Sequence, residues 1–352
     1  MSKKLKGALL ILVLGLFSVR LSLPYLLKDY VNDVIEDVEG YEGHVSDVGL
    51  SLYRGAYSLK GMELVMKEEG EKYPLFNARD IDISIHWHAL LRGELVAEVF
   101  LSDFFFDLDA GPLKERNARE NIEEIKKTDE TVWLKSLRAL VPIKINVIGL
   151  KRGNIIIAKN TEDERGTFAF ENLNGELLNL RNVIRKNDVS PSTFNLTGIV
   201  FKEGYLEARG GLNFLTPYPQ YDVKAKVTQL PLKRVNYFSQ KYAFLDFHSG
   251  ELDLYAEVKT EGKKIEGYIK PVFDNIEVFD LSEEEGGFIN LIWQGIAASI
   301  LSVLENGKTG NVATVIPIEG MRRDPQTDNI VTFNNLLYNA FIKATEKDFS
   351  RE

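Results

Sequence analysis

The sequence predicts a mainly β protein with helices: an extended antiparallel sheet behind an N-terminal transmembrane anchor, closed by C-terminal amphipathic helices. Three observations predict it. A basic cluster and an apolar stretch open the chain, most of the remainder alternates apolar and polar residues, and 27 glycines among 352 residues punctuate the alternation with turns. Period two is the mark of a strand with one wet and one apolar face.

The opening segment comes first. Lys3, Lys4 and Lys6 precede an apolar stretch from Gly7 to Leu27, and short positive flanks stay in the cytoplasm. The uninterrupted part, Ala8 to Val19, contains Leu9, Leu10, Ile11, Leu12, Val13, Leu14, Leu16 and Phe17. It has the length of a signal-peptide core. With the tail to Leu27 it reaches the roughly 20 residues that a crossing needs. No small-x-small cleavage site follows, which favours an uncleaved signal anchor at residues 1–28 over a cleaved signal peptide. Arg20 is placed to snorkel to the outer headgroups, and Tyr25 suits the interfacial belt. The expected location is a single-pass inner-membrane protein of a bacterial-type cell with its bulk in the periplasm.

Composition narrows the function. A formal net charge of −9 argues against nucleic acid as a partner, because a phosphate backbone needs a concentrated basic surface. No cysteine is present, which excludes thiol catalysis, thiolate metal sites and disulfides.

Along the chain, residues 29–112 begin with a short continuing helix, Tyr30 to Val38, and then turn to strands. Val48, Leu50 and Leu52 alternate, followed by Tyr57 and Leu59, then Met62, Leu64 and Met66. Ile81, Ile83, Ile85 and Trp87 alternate with Asp82, Ser84 and His86, and Leu95, Ala97, Val99 and Leu101 repeat the pattern. Residues 113–141 break it with charges and apolar positions at helical spacing, a helical insertion. Residues 142–280 resume it through Ile143, Ile145 and Val147, Ile155 and Ile157, Phe168 and Phe170, Phe194 and Leu196, and Leu252 and Leu254. With no long helix inside that run, the strands are expected to pair antiparallel throughout. Residues 281–352 read as a helix–strand–helix cap. A capping box at Ser282–Glu285 opens a helix through Ile292 and Ile296, a strand covers Val312 to Ile318, and Phe333 to Lys347 form a last amphipathic helix.

These pieces, in this order, resemble the AsmA-like family of bacterial envelope proteins, in particular its shorter members, long catalogued as a domain of unknown function. The residues that carry the resemblance are distributed: Pro24-Tyr25, Tyr30-Val31-Asn32, Leu50-Ser51-Leu52, Arg54-Gly55-Ala56-Tyr57, Leu90-Leu91-Arg92-Gly93, Pro142-Ile143-Lys144-Ile145, Leu230-Pro231-Leu232, Ser249-Gly250-Glu251-Leu252, Gly267-Tyr268-Ile269-Lys270-Pro271, Pro317-Ile318-Glu319-Gly320 and Asn339-Ala340-Phe341. The resemblance implies a sheet curled into a half-pipe with an apolar inside, and a role in moving phospholipid or in outer-membrane assembly.

The candidate site is therefore a lipid groove lined by Ile81, Ile83, Ile85, Trp87, Val99, Leu101, Ile143, Ile145, Val147, Ile155, Ile157, Phe168, Phe170, Phe194, Leu196, Leu252, Leu254, Ile292 and Ile296. Its occupant is a phospholipid or another acyl-chain ligand; its partners are the inner membrane and other envelope proteins. On the residues alone, the competing reading is an ordinary core in which the protein's own helices cover the same side chains. No catalytic residue, metal or cofactor is expected. His86 and His88 lack an obvious third ligand, and the pairs Asp107–Asp109 and Asp324–Asp328 have no nucleophile beside them. A ligand-free assembly factor for envelope proteins is the alternative function.

Overall fold

The computed structural model describes residues 3–37, 40–68, 70–110, 143–158, 166–181, 192–213, 220–243, 245–281, 312–313 and 315–321. They form one curved sheet that does not close on itself. Its strands are β1 (Tyr41–Ser51), β2 (Ala56–Glu68), β3 (Glu71–Ile85), β4 (Leu95–Asp107), β5 (Ile143–Ala158), β6 (Phe168–Arg181), β7 (Ser192–Val200), β8 (Gly204–Asn213), β9 (Gln220–Pro231), β10 (Leu245–Glu261), β11 (Lys264–Leu281) and β12 (Val312–Ala313). They lie side by side in chain order, and β13 (Ile316–Met321) also pairs with β11.

One expectation is corrected here. All neighbours pair antiparallel except β4 and β5, which run parallel, with Leu95 beside Ile143 and Leu101 beside Leu150. Parallel neighbours need a connection long enough to carry the chain back to the starting end, and residues 108–142 supply it. The helices expected at 113–141, at Ser282–Asn306 and at Phe333–Lys347 lie outside the described residues, as do Ile292 and Ile296. The strand expected at Val312 to Ile318 is realised as the two short strands β12 and β13.

Helices pack on β1 at one end of the sheet and on β10 near the other. α1 (Lys3–Glu36) is continuous, carries Pro24 inside it, and includes both the predicted anchor and the short helix expected after it. Leu27, Val31 and Ile35, four residues apart, form one face that packs on Val45, Val48 and Leu59. Asn32 fixes the register: its Oδ1 accepts the Val45 N–H at 2.7 Å, and its Nδ2 donates to the Val45 carbonyl at 3.4 Å. One amide side chain thus takes the place of a neighbouring strand along the exposed edge of β1, an edge that would otherwise invite pairing with another chain.

The same device recurs near the other end. After a 3-10 turn at Leu232–Val235, the helix α3 (Asn236–Ala243) presents Asn236 to Phe247 of β10. The Phe247 N–H donates to Asn236 Oδ1 at 3.0 Å, and Asn236 Nδ2 donates to the Phe247 carbonyl at 2.9 Å. Val45 and Phe247 are both almost fully buried, so water cannot replace either bond. Both asparagines follow a valine, Val31 and Val235. Period two did not predict α3.

A transverse line bends the sheet. Ser46, Gly61, Arg79, Asp103 and Arg152 occupy one position across β1 to β5, as the pairs on either side of them require. Gly61, Asp103, Arg152 and, on β6, Asn172 have positive φ. The apolar spacing steps by three instead of two at this line. The residues facing the first core are Val45 and Val48 on β1, Leu59 and Met62 on β2, Ala78 and Ile81 on β3, and Leu101 and Phe104 on β4. Each strand spends one residue out of alternation, as in a β-bulge. Because neighbouring strands do so together, their pairing stays in step while the sheet turns.

Replacing Asn32 or Asn236 by Ala is expected to destabilise the protein by about 1–3 kcal/mol each, the cost of leaving buried backbone groups unpaired. Replacing the exposed Asn77 by Ala should leave stability unchanged. Thermal unfolding of the three variants checks this.

Candidate functional site: an apolar face across the sheet

Following the strand pairings outward from β1 yields two unbroken cross-strand rows. The first is Val48, Leu59, Ile81, Leu101, Leu150, Gly175, Leu196, Ala208, Ala225, Ala256, Ile269 and Ile316. The second is Leu50, Tyr57, Ile83, Val99, Ile148, Leu177, Phe194, Gly210, Val223, Val258, Gly267 and Ile318. Neither row holds a charge. The row between them points to the opposite face and reads Gly49, Ser58, Asp82, Phe100, Gly149, Glu176, Asn195, Arg209, Lys224, Glu257, Tyr268 and Pro317. The sheet is therefore amphipathic over its whole width, roughly 50 Å at ordinary strand spacing.

The ends of the apolar face are fully buried and its middle is half-buried, with Leu101, Leu150 and Leu196 packed against the first core. Val48, Leu59 and Ile81 are buried in the first core, against which Leu27, Val31 and Ile35 of α1 pack, and Ile269 and Ile316 belong to a second core with Leu230, Leu232, Val235, Phe238, Phe247 and Phe273. Between them Leu101, Ile148, Leu150, Leu177, Phe194, Leu196, Ala208 and Val223 are half-buried. Among the described residues, the main packing of helices on the sheet falls on β1, β4, β9 and β10, and Phe238 of α3 joins Ile157 of β5 and Phe168 of β6 in the second core.

Most of the predicted lining falls on this face. Ile81, Ile83, Val99, Leu101, Phe194 and Leu196 stand in the two rows. Ile85 and Ile145 extend the face through Ala97, which pairs with both. Ile155 and Phe170 touch both cores, whereas Ile157, Phe168 and Leu252 are buried in the second, with Leu254 packed against it. Two assignments are corrected. β3 ends at Ile85, so Trp87 opens the short helix α2 (Trp87–Leu90) and is 46% exposed, outside the rows. Val147 pairs with Glu98 and Leu178, and so faces away from Ile148 and its partners Val99 and Leu177. The cause is a break in alternation between Ile145 and Val147, where the β4–β5 register shifts and Asn179 on β6 takes a positive φ. Ile143 pairs with Leu95, but its side chain lies outside what is described. Ile148, Leu150, Leu177 and Val223 belong to the face and were missed. Their signal was present as alternation, but the strand order needed to join them was not.

At the bend the polar face forms a cleft of about 330 Å³ lined by Asn77, Asp103, Phe104, Phe105, Arg152, Asn154 and Asn172. Asp103 receives Arg79 and both Nε and, at 2.8 Å, an Nη of Arg152. The Arg152 bond holds the Asp103 carboxyl below the usual carboxylate range. Arg152 N–H donates to Asn174 Oδ1, and Asn172 N–H to Asn154 Oδ1, each at 3.0 Å. The cleft's charges are thus spent on one another and tie β3, β4 and β5 together. Under the same line Phe104 lies against Gly153: a Cβ there would come within 2 Å of its ring.

The remaining candidates stay apart. His86 Nε2 lies 3.3 Å from Glu98, and no cluster of three metal-ligating side chains occurs among the described residues. Nor, among the described residues, is any helix long and apolar enough to cross a membrane. The anchor residues Leu9, Leu10, Ile11, Leu12, Val13, Leu16 and Phe17 lie within α1, but of the predicted anchor side chains only Leu14, 55% exposed, is described.

No protein-family model matches the chain, and no curated protein is significantly similar to it.

Gly153→Val is expected to displace Phe104 and cost about 1–3 kcal/mol, as overpacking does; thermal unfolding reads it. A second expectation concerns acid. A carboxyl whose pKa is lowered on folding adds stability above its unfolded pKa and loses it as pH falls through the folded one. For Asp103 that window lies below the ordinary aspartate pKa of about 3.9. Asp103→Asn should therefore flatten the acid limb of stability in that range and leave its slope near neutrality unchanged, as measured by denaturation across pH.

Proposed function

We propose that this chain is an envelope protein that holds acyl chains of phospholipid on the apolar face of its sheet, anchored in the inner membrane by α1 with its bulk in the periplasm. This is the role implied by the resemblance to the AsmA-like family. The observation that carries it is the pair of uncharged rows running across β1 to β11 and β13, half-buried over β4 to β9. Leaving so broad an apolar surface in water is unfavourable by about 25 cal/mol per Å², and soluble monomers rarely expose contiguous apolar patches of more than a few hundred Å². Acyl chains satisfy the face without needing a hydrogen bond from it. One face of the sheet is apolar and the other carries the charges, as a half-pipe requires.

The Lys3–Lys6 cluster ahead of the Gly7–Leu27 stretch supports the anchor, and α1 runs unbroken through that stretch. At 1.5 Å per residue its 21 residues span about 31 Å, the thickness of a bilayer core. The reading invokes binding and transfer and no catalysis.

Adjacent residues on opposite faces give a sharp test. A photo-crosslinking amino acid at Phe194 is expected to capture phospholipid in cells, and the same group at Asn195 is not. Ile148→Asp should reduce capture at Phe194, and Glu176→Lys on the other face should not. Lipid-free protein at both positions, with folding intact, would mean that the protein's own chain or a protein partner fills the face. The ligand-free assembly factor would then take its place.

A further inference from the structure

We infer that the end of the sheet beside α1 rests on the outer surface of the membrane that α1 enters, with Tyr53, Trp87, Leu90 and Leu91 in the headgroup layer. This rests on the anchor reading of α1. Two turns make that end. Leu52–Arg54 joins β1 to β2, and α2 with Leu91, Arg92 and Gly93 joins β3 to β4. They touch each other: the Ile85 N–H donates to the Gly55 carbonyl at 2.8 Å, and a Cβ on Gly55 would lie 2.9 Å from Trp87 Nε1. Positive φ at Gly55 and the absence of a Cβ permit this approach. Between them the turns present Tyr53 at 82% exposure, Leu91 at 85%, Trp87 at 46% and Leu90 at 42%, with Arg54, His88 and Arg92 exposed among them. Aromatic and apolar side chains interleaved with cations match the interface of an anionic membrane.

The height of the turns agrees. α1 runs antiparallel to β1, because Ile35 lies beside Gly43 and Asn32 is bonded to Val45. From Val45 to Ser51 is about 20 Å along the strand. The same rise along α1 takes about 13 residues from Asn32, which reaches Val19 and Arg20, inside the outer part of the apolar stretch. The turn after Ser51 therefore reaches the depth of Arg20, the side chain placed to snorkel to the outer headgroups.

Two other turns among the described residues are of different character. At the opposite end of β2 and β3, Glu42 bridges Lys67 at 2.6 Å and Lys72 at 2.9 Å around a turn with Gly70 and Glu71. The β10–β11 turn, on the same end as Tyr53 but far from α1, reads Glu261-Gly262-Lys263-Lys264. The described turns that expose Tyr53, Trp87, Leu90 and Leu91 lie beside α1, which places the contact at β1–β4. A sheet held this way presents its apolar face at the membrane edge, where a lipid enters from the bilayer without crossing open water.

The chain has three tryptophans, Trp87, Trp133 and Trp293. The full-length W133F/W293F protein is reconstituted into phosphatidylethanolamine–phosphatidylglycerol vesicles, with and without lipid brominated near the headgroup. Trp87 emission is expected to fall with the brominated lipid. A lone tryptophan introduced as Tyr73→Trp at the far end, with Trp87→Phe, should keep its emission. Unchanged Trp87 emission in protein that floats with the vesicles overturns this inference and leaves the anchor standing. Equal quenching at both positions overturns it too, since the sheet would then lie along the bilayer. Failure to float overturns the anchor reading and this inference with it.

Discussion

Everything in this fold depends on keeping one face of a very wide sheet apolar while the sheet bends. A strand that gains or loses one residue at a kink throws every later side chain to the wrong face. Here β1 to β4 make the change at the same position, so Val45, Met62, Ala78 and Phe104 return to the face held by Val48, Leu59, Ile81 and Leu101. The polar side chains thrown out by the bend find one another across strands, with Asp103 between Arg79 and Arg152 and the asparagines 154, 172 and 174 closing the backbone bonds that the irregularity leaves open. Curvature and amphipathicity thus have one structural cause.

A strand residue that lacks a neighbour on one side needs other partners for its backbone. The two asparagine clamps answer that need in the same way, at the outer edge of β1 and at the part of β10 that β9 does not reach, by offering the donor and acceptor that a neighbouring strand would have supplied. At Val45 the clamp comes from the helix that continues out of the proposed anchor. It therefore couples the direction of α1 to the direction of the strands, and sets which turns stand level with the apolar stretch. At Phe247 it comes from α3, whose Phe238 closes the second core. The apolar face is buried beside each of these helices and half-buried between them.

Alternation in the sequence determined most of this: that the chain is mainly β, that each strand has an apolar and a polar face, and which side chains belong to the apolar one. It also marked the bend, since Leu59 and Met62 or Leu101 and Phe104 break period two. A break of that kind in one strand is indistinguishable from a loose end. Only tertiary structure showed that the breaks align, because alignment is a property of pairing between distant segments. Pairing likewise decided that β4 and β5 run parallel, that Val147 turns away from its neighbours, and that Trp87 leaves the sheet to stand beside Gly55. Side-chain period is local and survives in the sequence. Strand order, register and the meeting of turns are set by contacts between residues far apart in the chain, and they exist only once the sheet has formed.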